Sequence, residues 1–247
     1  MNTASTLVIP DTHVPFHDRK AWALVLRVIR EMQPDRIVLL GDFADCLAVS
    51  HFPKTPSRAA GLGAEIASVN VELDALSEAA GKASVVFLSG NHEWRLERYL
   101  TQKAPELFDV LEISSLLNVA KRGWRWVPYK QHITIGKVAY AHDIGYSGKS
   151  AVQQSLSSFG GNIIFGHTHR SGIVYGGTVK REHRVAMSCG WLGDVSEIDY
   201  MHQSQTKDWQ TGFGWVQQAK NGDSWLQFVP IIAGRCCVEG YWIGGKV

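Results

Sequence analysis

Five short polar clusters carry the residue types that a pair of divalent cations needs. They are Asp11-Thr12-His13, Gly41-Asp42 with Asp45, Gly90-Asn91-His92-Glu93, His142-Asp143 and Gly166-His167-Thr168-His169. Carboxylate oxygens, an amide carbonyl and imidazole nitrogens are hard-to-borderline donors suited to Mn2+, Zn2+ or Fe. Asp42 can bridge two ions through its two oxygens, Asn91 offers a neutral carbonyl, and His142 adds a nitrogen. Asp11 with His13, and His167 with His169, stand two residues apart, and strand alternation would turn both members of each pair to one side. Two divalent ions against the carboxylates of Asp11 and Asp42 leave the site positive, which favours an anionic substrate such as a phosphate ester. Ions held ~3.5–4 Å apart can clamp the attacking and leaving sides of an in-line displacement and acidify a bridging water. His92 would point away from Asn91 in an extended segment, free to act as general acid for a leaving alkoxide. Asp45 is placed to accept from His92 and fix its tautomer. His51, His132, His183 and His202 lack such surroundings and read as structural or solvated. A single DxH or HxH is weak, but five clusters at successive strand ends form a constellation.

Placement supports this chemistry. Each cluster follows an apolar run, so its residues sit where open α/β sheets bind ligands, beyond the carboxyl ends of the strands. The pattern predicts strands at 7–10, 36–40 and 84–88, with helices at 19–32 (capped by Asp18), 64–80, 93–101 and 106–117. Residues 53–63, rich in Pro, Gly and Ser, read as a loop. Strands follow at 124–127, 132–135 and 138–141, with a hairpin turn at Gly136-Lys137. A helix at 149–158 and a strand at 162–165 come next. A further hairpin turns at Asn221-Gly222-Asp223, between 213–219 and 224–231. The chain reads as one α/β domain of the α+β type over residues 1–247. Residues 1–170 carry the metal motifs, and 171–247 form a β-rich completion or accessory segment.

Composition bounds the rest. Among 247 residues, 45% are hydrophobic and 19% charged, and the net charge is +2. That balance neither demands nor excludes nucleic acid, so any attraction for phosphate must be local. Cys46, Cys189, Cys236 and Cys237 form no CxxC pair and read as reduced thiols. With no basic n-region and no apolar run of ~18 residues, neither a signal peptide nor a membrane span is expected. The expected compartment is the cytoplasm, that of the host if the gene is phage-borne.

The set Asp11-x-His13, Gly41-Asp42-x-x-Asp45, Gly90-Asn91-His92-Glu93, His142 and Gly166-His167-x-His169 resembles the calcineurin-like metallophosphoesterase family, block by block and in order, from Leu7 to Arg170. The resemblance implies a four-layer αββα sandwich of two mixed β-sheets with a dinuclear metal site at the strand ends. It implies one ion on Asp11, His13, Asp42 and His169, and the other on Asp42, Asn91, His142 and His167. A hydroxide bridging the ions would attack phosphorus, with His92 as acid oriented by Asp45. Two divalent ions are expected, Mn2+ first, with Zn2+, Fe or Ni2+ as alternatives. Gly90-Asn91-His92-Glu93-Trp94-Arg95-x-Glu97-Arg98, with Gly145 to Lys149 later, is similar to small members carried by phages and prophages.

Two departures bear on substrate. The family's phosphoprotein phosphatases usually place an arginine after the second Asp of GDxxD, where this chain has Cys46, and a glycine where it has Asp143. Arg95, Arg98, Lys149 or Arg170 can replace the missing clamp, although Arg95 and Arg98 equally suit a solvated helix face with Glu97. Of nine tryptophans, Trp191, Trp209, Trp215, Trp225 and Trp242 lie beyond the matching region. Aromatics among basic residues stack bases, and aromatics in a β-rich segment also build core. Trp215 and Trp225 suit cross-strand packing as well. The expected function is a phosphodiesterase or nuclease acting on nucleic acid, DNA or RNA, or on nucleotides. The alternatives are a phosphomonoesterase and a catalytically weak phosphate-binding module. The apolar tail around 231–232 and 236–243 is expected to be a lid or the outer strand of the second sheet, ahead of a subunit interface.

Overall fold

Every central strand sends alternate side chains into two different cores, and this builds the layers. The computed structural model describes residues 3–52, 61–198 and 203–245. Residues 53–60 of the expected loop, and His202, lie outside them. Strands Ala4–Ile9 (β1), Arg36–Leu39 (β2), Ser84–Leu88 (β3) and Arg125–Val127 (β4) run parallel side by side. Helices Arg19–Met32 (α1) and Leu62–Ala80 (α2) make the first crossovers, followed by Trp94–Lys103 (α3) and Ile113–Leu116 (α4). The second sheet holds His132–Ile135 (β5), Val138–Ala141 (β6), Asn162–Phe165 (β7), Ser171–Gly177 (β8) and His183–Cys189 (β9), in the order β5-β6-β7-β9-β8. Helix Ala151–Phe159 (α5) connects β6 to β7. After the short helix Gln203–Thr206 (α6), strands Gly212–Gln218 (β10) and Ser224–Pro230 (β11) return to the first sheet, which reads β11-β10-β1-β2-β3-β4.

Val8, Val38, Leu40 and Leu88 from the first sheet meet Val138, Tyr140, Ile164 and Met187 from the second. Their neighbours Leu7, Ile9, Ile37, Leu39 and Phe87 face the opposite way, towards α1, α2 and α3. Ala139, Ile163, Phe165 and Ala186 likewise turn outward under α5. The result is helix, sheet, sheet, helix, a mixed α/β sandwich with two mixed sheets. Each fully buried Leu, Ile or Phe contributes roughly 1.5–3 kcal/mol.

Local signals explain the helix that leads away from the first cluster. The Asp18 side chain accepts from the Lys20 and Ala21 N–H groups, capping α1. The helix ends where Gln33 turns left-handed at φ 45°. Its buried face carries Trp22, Val25, Val28 and Ile29.

Two expectations are corrected. Residues 106–117 are not one helix: a 3-10 turn at Pro105–Leu107 and the single turn of α4 replace it. Phe108 and Val110 are 45% and 74% exposed, so the periodicity there has no core to bury against. The tail is neither a lid nor an outer strand of the second sheet, whose edges are β5 and β8. Strands Arg235–Val238 (β12) and Tyr241–Gly244 (β13) pair only with each other, and Cys236, Val238 and Ile243 join the helix-side core of the first sheet. Trp215 is in that core too, whereas Trp225 and Trp242 are exposed. Register sets Trp215 against Gln227 and Trp225 against Gln217. All four cysteines are free. Among the described residues, no helix is long and apolar enough to cross a membrane.

Candidate metal centre

Asp11 and His13 follow β1, Asp42 follows β2, Asn91 follows β3, His142 follows β6, and His167 and His169 follow β7. Both sheets therefore present their carboxyl ends at one place. Pleat alternation does not make the side chains converge, because the strands have already ended. His13, Asp42, His167 and His169 have φ of 57°, 50°, 65° and 56°. Left-handed backbone costs a non-glycine residue about 1–2 kcal/mol, and such strain gathers at functional sites. Close packing holds the turns in place. A Cβ on Gly90 would lie 2.1 Å from Asp42 Oδ1, and one on Gly166 would lie 2.7 Å from Asp11 Oδ2.

The backbone locks the clusters together. The Thr12 and His13 N–H groups donate to the Asp42 carbonyl at 3.0 and 2.9 Å. The His167 N–H donates to both Asp11 oxygens at 2.9 Å. The His92 N–H donates to Asp42 Oδ1 at 2.8 Å. Three donor groups result, Asp11/His13/His169, His13/Asp42/His92 and Asp42/His142/His167, each with its ligand atoms within 4.8 Å of one another. Asn91 Oδ1 stands 2.9 Å from His142 Nε2 and 2.8 Å from His167 Nδ1.

These residues fit divalent cations. His142 Nδ1 lies 3.0 Å from the Leu40 carbonyl and must donate to it, so a neutral ring directs the Nε2 lone pair inward. There it meets Asn91 Oδ1, and Asp42 Oδ2 at 3.4 Å. Three acceptors facing one another need a cation between them. With protons alone to answer that need, Asp42 and Asp11 overcome burial and lift His142 to about 10. On the other side, His13 Nδ1 pairs with Asp45 Oδ2 at 3.1 Å, leaving its Nε2 3.1 Å from His169 Nε2. Burial and then His13 hold His169 well below the ordinary histidine value, so it stays a neutral nitrogen donor. Burial raises the Asp11 carboxyl against the pull of His142. Burial also works on Asp42, but His142 and His92 hold it well below the usual carboxylate range.

His92 differs from expectation in direction. Residues 91–93 are a turn leading into α3, so alternation does not apply, and His92 faces the centre with Nε2 3.7 Å from Asp42 Oδ2. Its Nδ1–H donates to the Asp45 backbone carbonyl at 3.0 Å, while the nearer carboxylate oxygen is 3.4 Å away. The Asp45 carboxylate is instead shared between His13 and Arg95 Nη1, the latter at 3.2 Å.

The four basic candidates separate. Arg95 is buried: Nη1 donates to the Asp45 carbonyl at 2.8 Å and Nη2 to His92 Nε2 at 2.8 Å. Arg98 turns to His51 Nδ1 at 2.8 Å and lies over the Trp94 ring. Lys149 pairs with Asp208 at 2.8 Å, and Arg170 donates to the Thr168 carbonyl at 3.3 Å. Lys149 and Arg170 share a cleft with His167 and Thr168. Cys46 is fully buried in the helix-side core, and burial pushes its thiol well up. Asp143 accepts from the Tyr129 hydroxyl and the Gly145 N–H, both at 2.9 Å, and so forms a turn.

Sequence reasoning missed two parts. Glu93 is a fully buried strut: its carboxylate accepts from the Asp42, Ala44 and Gly90 N–H groups at 2.9, 2.8 and 2.8 Å. Burial and Asp42 push its carboxyl up to about 7. Its signal was a carboxylate three residues past a strand-end glycine. The second part is an aromatic wall. Trp191 stacks on His169 at 5.0 Å and 16°, and Trp209 meets His169 edge-on at 4.3 Å.

The model of the calcineurin-like phosphoesterase family matches residues 4–171. The chain belongs to that family and is a metal-dependent phosphoesterase, a hydrolase. It is 31% identical over 250 residues to the Gene 54 protein of Mycobacterium phage D29, covering 95% of this chain and 96% of that one. The Gene 54 protein of Mycobacterium phage L5 is 30% identical over 254 residues, with the same coverage. Among solved structures, Vacuolar Protein Sorting 29 from Cryptosporidium parvum shares the fold. Its TM-score is 0.51 at 11% identity, over 98% of this chain and 99% of that one.

Proposed function

We infer that this phosphoesterase is a phosphodiesterase. The observation that carries the reading is Asp42, shared between two donor groups, with His92 and Arg95 beside it. Asp11, His13, Asp42 and His169 would hold one divalent ion, and Asp42, Asn91, His142 and His167 the other, with Mn2+ first in expectation. Bound ions supply a nucleophile from water at neutral pH and neutralise charge on the phosphoryl group.

The chain's own residues do the rest. His92, fixed through its Nδ1–H on the Asp45 carbonyl, directs Nε2 at the centre; once Arg95 has turned from Nε2 to the phosphate, the ring takes up a second proton there from solvent and passes it to the leaving alkoxide. Such proton transfer contributes roughly 10²–10⁴-fold. Arg95 rests on His92 Nε2 and turns to a phosphate oxygen when substrate enters. Asp45 positions both His13 and Arg95 through its carboxylate.

The diester preference is supported by charge. A diester carries one negative charge, a monoester two near neutral pH. The position after Asp45 is a core cysteine, and Arg95 is the one guanidinium touching His92 among the described residues. The monoesterase reading is favoured by that same Arg95, whose planar fork suits a terminal phosphate. The phage relatives support action in a host cytoplasm.

The test is a substrate panel with Mn2+: para-nitrophenyl phosphate, its bis ester, a cyclic nucleotide, RNA and DNA. The bis ester or the nucleic acids should be cleaved faster than the monoester. His92→Ala should lower turnover by about two to four decades, with metal content unchanged. A preference for the monoester would make the protein a phosphomonoesterase.

A further inference from the structure

Beside the metal centre lies a cleft of about 540 Å³ whose inner wall is His167 and Thr168. The loop carrying Lys149, the segment carrying Lys207, Asp208 and Trp209, and Arg170 also line it. Its volume falls within the ~300–1,000 Å³ of ligand-binding clefts. Three cations stand against one carboxylate, in a chain whose overall charge is only +2.

We propose that this cleft is the track for a single-stranded nucleic acid whose scissile phosphate lies at the metal centre. The inference rests on the phosphodiesterase reading and names its substrate. Three observations support it. First, the Arg170 Nε is buried with no hydrogen-bond partner, although another nitrogen of the same guanidinium donates to Thr168. Arg170 lines the cleft half-buried, and no carboxylate pairs with its guanidinium among the described residues, so its charge is left for a phosphate there. Second, Lys149 Nζ bridges the cleft to Asp208 at 2.8 Å, yet the Lys149 side chain is 73% exposed. Solvent screens an exposed pair of this kind, so an arriving phosphate can exchange for Asp208. Third, Trp209 lines the cleft half-buried, braced edge-on by His169 and by Trp191 at 4.7 Å. A braced indole beside a row of cations offers a stacking face to a base next to the cleaved phosphate. Acidic peptides and free phosphate would use the cations and leave the indole idle. Paired bases are shielded from it, which selects a single strand.

The experiment uses Mn2+-loaded His92→Ala protein, so that the strand survives, and a fluorescein-labelled single-stranded oligonucleotide followed by anisotropy across salt concentrations. Lys207→Ala should weaken binding and reduce the slope of log affinity against log salt by about 0.7. Asp208→Asn should tighten binding by freeing Lys149. A strand with abasic sites should bind about five-fold or more weakly, since stacking is lost. Equal affinity for the abasic strand overturns the proposal, as does equal competition by polyphosphate. Indifference to both Lys207→Ala and Asp208→Asn overturns it too. Hydrolysis of bis(para-nitrophenyl) phosphate by the unaltered protein is measured alongside. Hydrolysis with cleft-independent binding removes this inference alone, and absence of hydrolysis removes the phosphodiesterase reading and the inference with it.

Discussion

Asp42 meets several demands with one residue. Its carbonyl accepts from Thr12 and His13, its N–H donates to Glu93, and its carboxylate takes the His92 N–H and faces His142. It does so at φ 50°, a conformation that asparagine also tolerates. Asp42→Asn therefore removes charge without added backbone strain. It should bind fewer than two ions per chain by elemental analysis, and equal metal content would end the bridging assignment. Arg95 gives the second prediction at this scale. Its fork holds two Asp45 oxygens and His92 together, which an ammonium cannot reproduce. Arg95→Lys should raise KM for the diester and lower kcat by about ten-fold or more, on the scale of one charge-assisted bond. Unchanged kinetics would remove Arg95 from the site.

At the scale of elements, the loop that carries His13 runs on into a buried histidine outside the metal cluster. His17 is buried with both ring nitrogens unpartnered and Glu72 of α2 at 3.7 Å. Burial lowers its pKa from 6.5, against the pull of Glu72. Below pH 6.5 the unfolded chain takes up a proton that the folded chain refuses, so stability falls as pH drops. His17→Phe should flatten that fall in chemical-denaturation curves below pH 6.5, and an unaltered slope would sink the assignment. The strand ends were legible in sequence because buried strands must be apolar, so the polar residue that closes each run stands out. The convergence of the candidate ligands was expected for the wrong reason: left-handed backbone aims His13, Asp42, His167 and His169, and nothing in a pattern of apolar residues reports φ. Arg95 and Glu93 were illegible as buried groups because the partners that bury them include the Asp45 carbonyl and the Asp42 and Ala44 N–H groups, in a loop about fifty residues earlier. Backbone atoms leave no trace in residue type. The β12–β13 hairpin was misplaced for a related reason, since alternation tells that a strand has a buried face but not which core receives it.

For the whole molecule, the candidate ligands come from both sheets: Asp11, His13, Asp42 and Asn91 from one, His142, His167 and His169 from the other. Ions bound there tie the two halves of the sandwich across Val8, Val38, Leu40, Ile164 and Met187. Chelation should lower the melting temperature in a thermal-shift assay. For one site filled at a hundred-fold its Kd, the loss is about 2.7 kcal/mol, or roughly 5–10 °C in a chain of this size. No shift on adding EDTA to metal-loaded protein would mean that the ions do not tie the sheets. The helix-side core, to which Trp215, Cys236, Val238 and Ile243 belong, is separate from this seam and should keep its fold after chelation.

The aromatic wall on His169 has an optical consequence. Trp191 and Trp209, two of nine indoles, are packed against His169, a candidate nitrogen donor of the centre. A paramagnetic ion such as Mn2+ drains the emission of an indole at that range, whereas closed-shell Zn2+ does not. Titrating each ion into chelated protein would therefore dim the intrinsic fluorescence by up to those two emitters' share for Mn2+, and leave it bright for Zn2+. The protein carries an unlabelled gauge of which ion has entered.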